Sequence, residues 1–173
     1  VGILVEAGMA FGSGEHATTQ GCLAAVDLLA RRRRFRRVLD LGCGSAVLAI
    51  AAAKCWPCRV TAADIDPVAV RVAGENVAIN GVEAQVRCVT SDGCAHPAIV
   101  RGAPYDLVLA NILADPVSAL ARPIGRLLAP DGRVVLSGFL DRQAERVRLA
   151  YAACGLRQLH RIDRDGWVAL VMG

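Results

Sequence analysis

Gly42 and Gly44 stand at the turn of the run Arg37-Val38-Leu39-Asp40-Leu41-Gly42-Cys43-Gly44-Ser45-Ala46-Val47-Leu48-Ala49-Ile50. Glycine has no Cβ and takes positive φ readily, so a backbone can turn sharply there and pass close to a ligand. The apolar stretch before the pair reads as a strand, and Ala49 to Lys54 after it reads as a helix. The opening N–H groups of that helix point into the same crevice. A second apolar run, Val60 to Ala63, ends at Asp64. In open parallel sheets a carboxylate about 20 residues beyond the glycine turn takes ribose hydroxyls. Together these residues predict a nucleoside-containing cofactor lying across the ends of two neighbouring strands.

Other side chains are placed to serve the same crevice. Pro104 to Ala110 is an apolar strand that ends at Asn111. The carboxyl end of a central strand is where such sheets bind ligands. The Asn111 side-chain oxygen can accept hydrogen bonds from an incoming amine, or form an Asx turn into the next helix. Ser91-Asp92-Gly93 follows a third strand, Ala84 to Val89. Asp92 is either a ligand to the cofactor's base or a plain turn residue. Near the start, Gly8, Gly12 and Gly14 bracket Met9, Ala10 and Phe11 in a glycine-rich loop that lacks the Lys of a phosphate-binding loop. Such a loop suits a lid, with Phe11 stacking on a cofactor or an entering side chain. The plainer alternative is that Met9 and Phe11 plug the edge of the core. His16 either meets a cofactor carboxylate or caps the helix that follows; Thr18 or Thr19 is the expected cap.

The dinucleotide fingerprint needs a third glycine, and Val47 stands in its place. This weakens NAD or FAD as the cofactor. The setting of Asp40, Cys43 and Asp64 around Gly42 and Gly44 resembles the first motif of class I S-adenosylmethionine (SAM) methyltransferases. Met9-Ala10-Phe11-Gly12-Ser13-Gly14-Glu15-His16-Ala17-Thr18-Thr19 resembles the signature of the ribosomal protein L11 methyltransferase family, with Ser13 where Thr is usual. Asp40-Leu41-Gly42-Cys43-Gly44-Ser45 and Asn111-Ile112-Leu113-Ala114 fit the same family, which usually has Gly where this chain has Ala46.

The resemblance implies SAM as cofactor and methylation of lysine side chains or the N-terminal amine of ribosomal protein L11, or of a related protein. It also implies that Thr19 contacts the cofactor. The cofactor set is then Phe11, Gly12, His16, Thr19, Gly42, Gly44, Asp64 with the adjacent Ile65, Asp92 and Asn111, and Asn111 also positions the acceptor amine. No metal is implied, and no general base is nominated. The family recognises its substrate through a small N-terminal domain; residues 1–173 match only the catalytic domain, so that domain is expected to be absent. Three alternatives stand beside this reading: an RNA methyltransferase, an NAD-dependent oxidoreductase and a non-catalytic SAM-binding domain.

The elements that must position these residues alternate. Asp66-Pro67 opens a helix that Asn80-Gly81 closes; Asp115-Pro116 opens another reaching about Leu128; Arg133 to Ser137 is a strand; Leu140 to Ala153 is a helix. Leu156 to Ile162 and Trp167 to Met172 form a hairpin across Asp165-Gly166. This predicts an α/β class, doubly wound, Rossmann-like fold: a seven-stranded, mostly parallel sheet with an antiparallel last strand.

A chain of 173 residues suits one domain, and 54% hydrophobic residues with only 4% aromatics give an aliphatic core. No apolar run reaches the ~18 residues of a membrane span. Seven cysteines, an odd number partly inside apolar elements, predict a reduced, cytoplasmic protein. Cys55-Trp56-Pro57-Cys58 follows a helix instead of opening one, which argues against a redox pair. The net charge of +4 is concentrated in Arg31 to Arg37. That run reads as a solvated helix end, or as the patch that carries the RNA alternative.

Overall fold

The computed structural model describes residues 2–4 and 16–173. Seven strands form one sheet in the order β3-β2-β1-β4-β5-β7-β6. They are β1 (Arg37–Leu41), β2 (Arg59–Asp64), β3 (Val86–Thr90), β4 (Tyr105–Asn111), β5 (Leu128–Leu140), β6 (Gln158–Arg164) and β7 (Trp167–Met172). Pairings among β1 to β5 are parallel; β7 runs antiparallel to both β5 and β6. The expected doubly wound, mostly parallel sheet is therefore observed, with β6 as well as β7 lying beyond the parallel set.

Helices cover both faces, which is why the central strands are apolar on successive residues and do not alternate. Val38, Leu107 and Leu109 pack under α1 (Ala17–Ala30), α2 (Val47–Cys55) and α3 (Pro67–Ile79). Leu39, Leu41 and Val108 pack under α4 (Pro97–Gly102), α5 (Ala114–Ala119), α6 (Ala121–Leu127) and α7 (Asp141–Ala152). Removing one such fully buried leucine from water contributes about 1.5–3 kcal/mol. The buried stripe of α1, Thr18, Cys22, Ala25, Val26 and Leu29, follows helical spacing and fixes the face that α1 turns to the sheet.

Local signals set most boundaries. Asp66 caps α3 by accepting from the Val68 N–H at 2.8 Å, with Pro67 in the first turn. Asp165 and Gly166 take φ of 49° and 78°, as a tight hairpin turn requires. Of the caps considered for α1, His16 is the one observed: its Nδ1 accepts from the Thr18 N–H at 3.3 Å, and neither Thr18 nor Thr19 is the cap. The helix expected from Asp115 to about Leu128 is two helices, broken at Leu120. The strand expected over Arg133 to Ser137 extends to 13 residues because Leu128 pairs with Tyr105 of β4 and Leu140 with Trp167 of β7. α4, capped by His96, was not legible as a helix because it is only six residues long.

Candidate functional site

The strand order reverses between β1 and β4, and ligands of open α/β sheets bind beyond the carboxyl ends of the strands at such a switch point. A cavity of about 810 Å³ opens there. The glycine turn forms its floor. Gly42 and Gly44 have φ of 67° and 51°, and the N–H groups of Gly42 and Cys43 both donate to the Ala63 carbonyl, at 2.8 and 3.0 Å. The turn is thereby pinned to the end of β2. Ala46, where the family usually has Gly, is itself left-handed at φ 62° and fully buried at the start of α2. An alanine thus occupies a conformation that glycine adopts without strain.

Asp64 holds the other side of the turn. Its Oδ2 accepts from the Gly44 N–H at 2.9 Å and its Oδ1 from the Asp66 N–H at 3.1 Å. Both carboxylate oxygens are fixed in direction and keep lone pairs for a diol. Ile65, next along, is 66% exposed at the rim. Asp92 is exposed on the cavity wall, where Ser91 Oγ donates to the Gly93 carbonyl. Opposite, Asn111 Nδ2 donates to Thr19 Oγ1 at 3.4 Å across the junction of β4 and α1. His16 lines the mouth, edge-on to Trp167 with ring centroids 5.0 Å apart. The cavity therefore gathers His16, Thr19, Gly42, Gly44, Asp64, Ile65, Asp92 and Asn111. Phe11 and Gly12, with the lid expected of residues 9–14, lie outside the described residues.

Three buried side-chain polar atoms find no hydrogen-bond partner among the described residues: Asp40 Oδ1, Asn111 Oδ1 and Trp56 Nε1. The first two belong to cavity-lining residues, whereas Trp56 packs edge-on to Phe35 in the core. Orphaned buried acceptors are costly, and their convergence on one cavity marks it as built for a polar ligand.

Several residues that position the site were given no role in it from the sequence, although Asp40 stood in the glycine-turn motif. Asp40 ends nearly buried in the floor, its Oδ2 accepting from the Ala49 N–H at 2.9 Å. Asn76 of α3, fully buried, donates to the Ser45 carbonyl at 3.1 Å and braces the turn from behind. A polar residue on the apolar face of a helix was the available signal. Gly138, at φ 96°, lies against Ile112. An isolated glycine within a strand pattern signals a bulge, and the register shift between Leu136 and Phe139 is that bulge.

The arginine run lies at the other end of the sheet, where β1 begins. Arg33 Nη1 donates to the Asp131 carbonyl at 2.7 Å, with its guanidinium 4.7 Å from the Phe35 ring centroid. The N–H groups of Arg36 and Arg37 donate to the Asp106 carboxylate at 2.8 and 3.0 Å. All seven cysteines are free. Burial pushes the Cys58 thiol up to about 12 and raises Cys55, the opposite of an activated redox pair.

The family model for the ribosomal protein L11 methyltransferase matches residues 1–173. The chain belongs to the ribosomal protein L11 methyltransferase family. A relative of that name from Bradyrhizobium diazoefficiens is 50% identical over 170 residues, covering 98% of this chain and 58% of the relative. The chain thus spans a little over half the length of the curated relatives it matches. The crystal structure of a ribosomal protein L11 methylase from Lactobacillus delbrueckii subsp. bulgaricus superposes with a TM-score of 0.87 at 30% identity, over 98% of this chain and 83% of that one. A precorrin-6y C5,15-methyltransferase from Geobacter metallireducens shares the fold, at TM-score 0.73 and 16% identity over 98% of this chain and 96% of its own. No helix among its described residues is long and apolar enough to cross a membrane.

Proposed function

We propose that residues 1–173 form the SAM-binding catalytic unit of a methyltransferase that modifies protein amino groups, with ribosomal protein L11 or a related protein as acceptor. The observation that carries this reading is the convergence of the glycine turn, Asp64 and the orphaned Asn111 Oδ1 on one cavity at the switch point of a family member's sheet. Those residues fit SAM: a flat glycine floor, a fixed carboxylate for the ribose diol and unpaired acceptors for cationic groups. SAM, when bound, supplies a methyl group already made electrophilic by its sulfonium.

The chain's own work is then positioning. Thr19 accepts from Asn111 Nδ2 and leaves Asn111 Oδ1, buried beside the cavity without a partner among the described residues, as the acceptor for an N–H of the incoming amine. The amine must arrive neutral, against a free lysine pKa of about 10.4. Ile65 and Leu113, 66% and 70% exposed, give an apolar rim where desolvation disfavours the ammonium form. A ribosomal acceptor and free cysteines both support a cytoplasmic location. The arginine run lies at the amino end of β1, the opposite end of that strand from the cavity, which supports a protein acceptor over RNA.

The test is transfer of isotope-labelled methyl from SAM into purified L11 and bulk cell extract, with products identified by mass spectrometry. Label on protein amines, lost in Asn111→Ala, is expected. Label in RNA would shift the acceptor class. SAM binding without any transfer would leave a binding domain, and failure to bind SAM would overturn the reading.

A further inference from the structure

We propose that the amino ends of β5, β1 and β2 carry a docking face for the phosphate backbone of a nucleic-acid duplex, formed by Arg33, Arg34, Arg36, Arg37, Arg59 and Arg133. The inference is independent of the SAM reading, because this face and the cavity lie at opposite ends of the parallel strands. The 5 residues of β1 separate them by about 17 Å. A nucleic acid held here is therefore an anchor and not the methyl acceptor.

The loop that carries the arginine run is anchored, as a merely solvated helix end need not be. Phe35 is fully buried, edge-on to Trp56 with ring centroids 4.9 Å apart, and the N–H groups of Arg36 and Arg37 both donate to the Asp106 carboxylate. Arg34 and Arg36, on either side of the Phe35 anchor, are exposed. Arg31 and Arg32 are engaged elsewhere, with Asp27 and His160. Like charges then meet in two places. Arg37 and Arg59 are register partners on neighbouring parallel strands, so their side chains leave the same face of the sheet from backbones about 4.8 Å apart. Towards β5, Arg33 Nη1 and Arg133 Nη1 converge on one oxygen, the Asp131 carbonyl, at 2.7 and 2.9 Å. No ion pair among the described residues involves any of the arginines of this face. Like charges side by side are destabilising, and an anion bound between them reverses the sign.

The form of the row selects a duplex. From β2 to β5 it crosses three strand spacings, about 14 Å, over which a duplex presents about eight charges. Guanidinium groups match phosphate oxygens in paired hydrogen bonds. Phe35 is buried and no other aromatic residue belongs to the row, so single strands find no stacking platform. None of the large apolar side chains exposed elsewhere belongs to it either, so it lacks what inserts into a bilayer.

The test is fluorescence anisotropy of the intact chain with labelled duplexes of about 20 base pairs, RNA in one arm and DNA in the other, between about 50 and 200 mM salt. With about four phosphate contacts, affinity is expected to fall about 100-fold across that range. Arg34→Gln/Arg36→Gln/Arg59→Gln removes side chains that make no hydrogen bond among the described residues, so its urea midpoint should be unchanged. It should bind about 10-fold more weakly or worse at the lowest salt, with a salt slope lower by about three. Arg71→Gln/Arg142→Gln/Arg146→Gln removes the same charge from α3 and α7 and should bind within about twofold of the unchanged chain, because distant charges are screened. Equal weakening by both variants would reduce the effect to net charge and overturn the proposal. So would absence of binding to either duplex at the lowest salt, or tighter binding of polyglutamate or of phosphatidylserine vesicles than of duplex. With the proposal upheld, the ratio of the two arms tells RNA from DNA. Loss of duplex binding leaves the methyl-transfer reading untouched, and failure to bind SAM leaves this one untouched.

Discussion

Gly138 and Ile112 meet backbone to side: a Cβ on Gly138 would stand 2.4 Å from the Ile112 carbonyl oxygen and 2.6 Å from its carbonyl carbon. Ile112 in turn fills the space above Gly42, where a Cβ would lie 2.2 Å from its Cγ2. The segment after Asn111 is therefore held between a glycine of the cofactor turn and a glycine in the bulge of β5. Gly138→Ala should lower stability by about 2 kcal/mol or more, since the φ of 96° and the backbone overlap act together. It should also weaken SAM binding by shifting Ile112 and with it Asn111. Urea unfolding alongside SAM titration checks both effects; unchanged stability would show that the bulge can relax.

The link between Thr19 and Asn111 makes a separate expectation. Thr19→Val keeps the shape of the side chain but removes the hydroxyl that accepts from Asn111 Nδ2. The amide is then free to rotate, and acceptor positioning suffers. Methyl transfer should drop about 10- to 100-fold in kcat, a loss of the size that misplacement of reacting groups produces. Single-turnover kinetics with labelled SAM provide the readout. Equal loss from Thr19→Ser, which retains the hydroxyl, would argue against this role.

Asp64 fixes two backbone amides and faces the cavity. Asp64→Ala leaves the Gly44 and Asp66 N–H groups without their acceptor and deletes the diol ligand. Charge-assisted hydrogen bonds contribute about 1.5–3 kcal/mol each, so the SAM Kd should rise roughly 10- to 100-fold. Equilibrium dialysis with labelled SAM measures it. Asp66→Ala, which removes only the α3 cap, should cost about 1 kcal/mol of stability and leave the Kd nearly unchanged.

The raised pKa of Asp40 shapes the stability of the cofactor-free chain. Its ordinary value is 3.8 and its folded value about 7, because burial penalises the charge. Between those values the folded state holds a proton that the unfolded chain has released, so stability falls as pH rises through the window. The penalty is complete above about pH 7 and amounts to at most about 4 kcal/mol. Denaturant midpoints should therefore be higher at pH 6 than at pH 8, and Asp40→Asn should flatten the difference. A midpoint that rises between pH 6 and pH 8 would contradict the assignment.

Short-range chemistry was legible from residue types alone. Gly42 and Gly44 between an apolar strand and a helix, Asp64 at the end of the next strand, Asp66-Pro67 at a helix start and Asp165-Gly166 in a hairpin each act through neighbours a few residues away. Their types alone specify the local backbone. The doubly wound, mostly parallel sheet also followed, because alternating β and α elements leave few ways to cover both faces of a sheet. Which polar atoms are left without partners among the described residues depends on long-range packing. Asp40 read as part of the glycine-turn motif and Asn76 as a helix residue, and burial by distant elements leaves Asp40 Oδ1 without a partner among the described residues and makes Asn76 a brace for the turn. Gly138 likewise acquires its role from Ile112, 26 positions earlier in the chain, because β4 and β5 are neighbours. The arginine run was the converse case: its charge is plain in the sequence, but the direction of β1 sets it at the end of that strand away from the cavity.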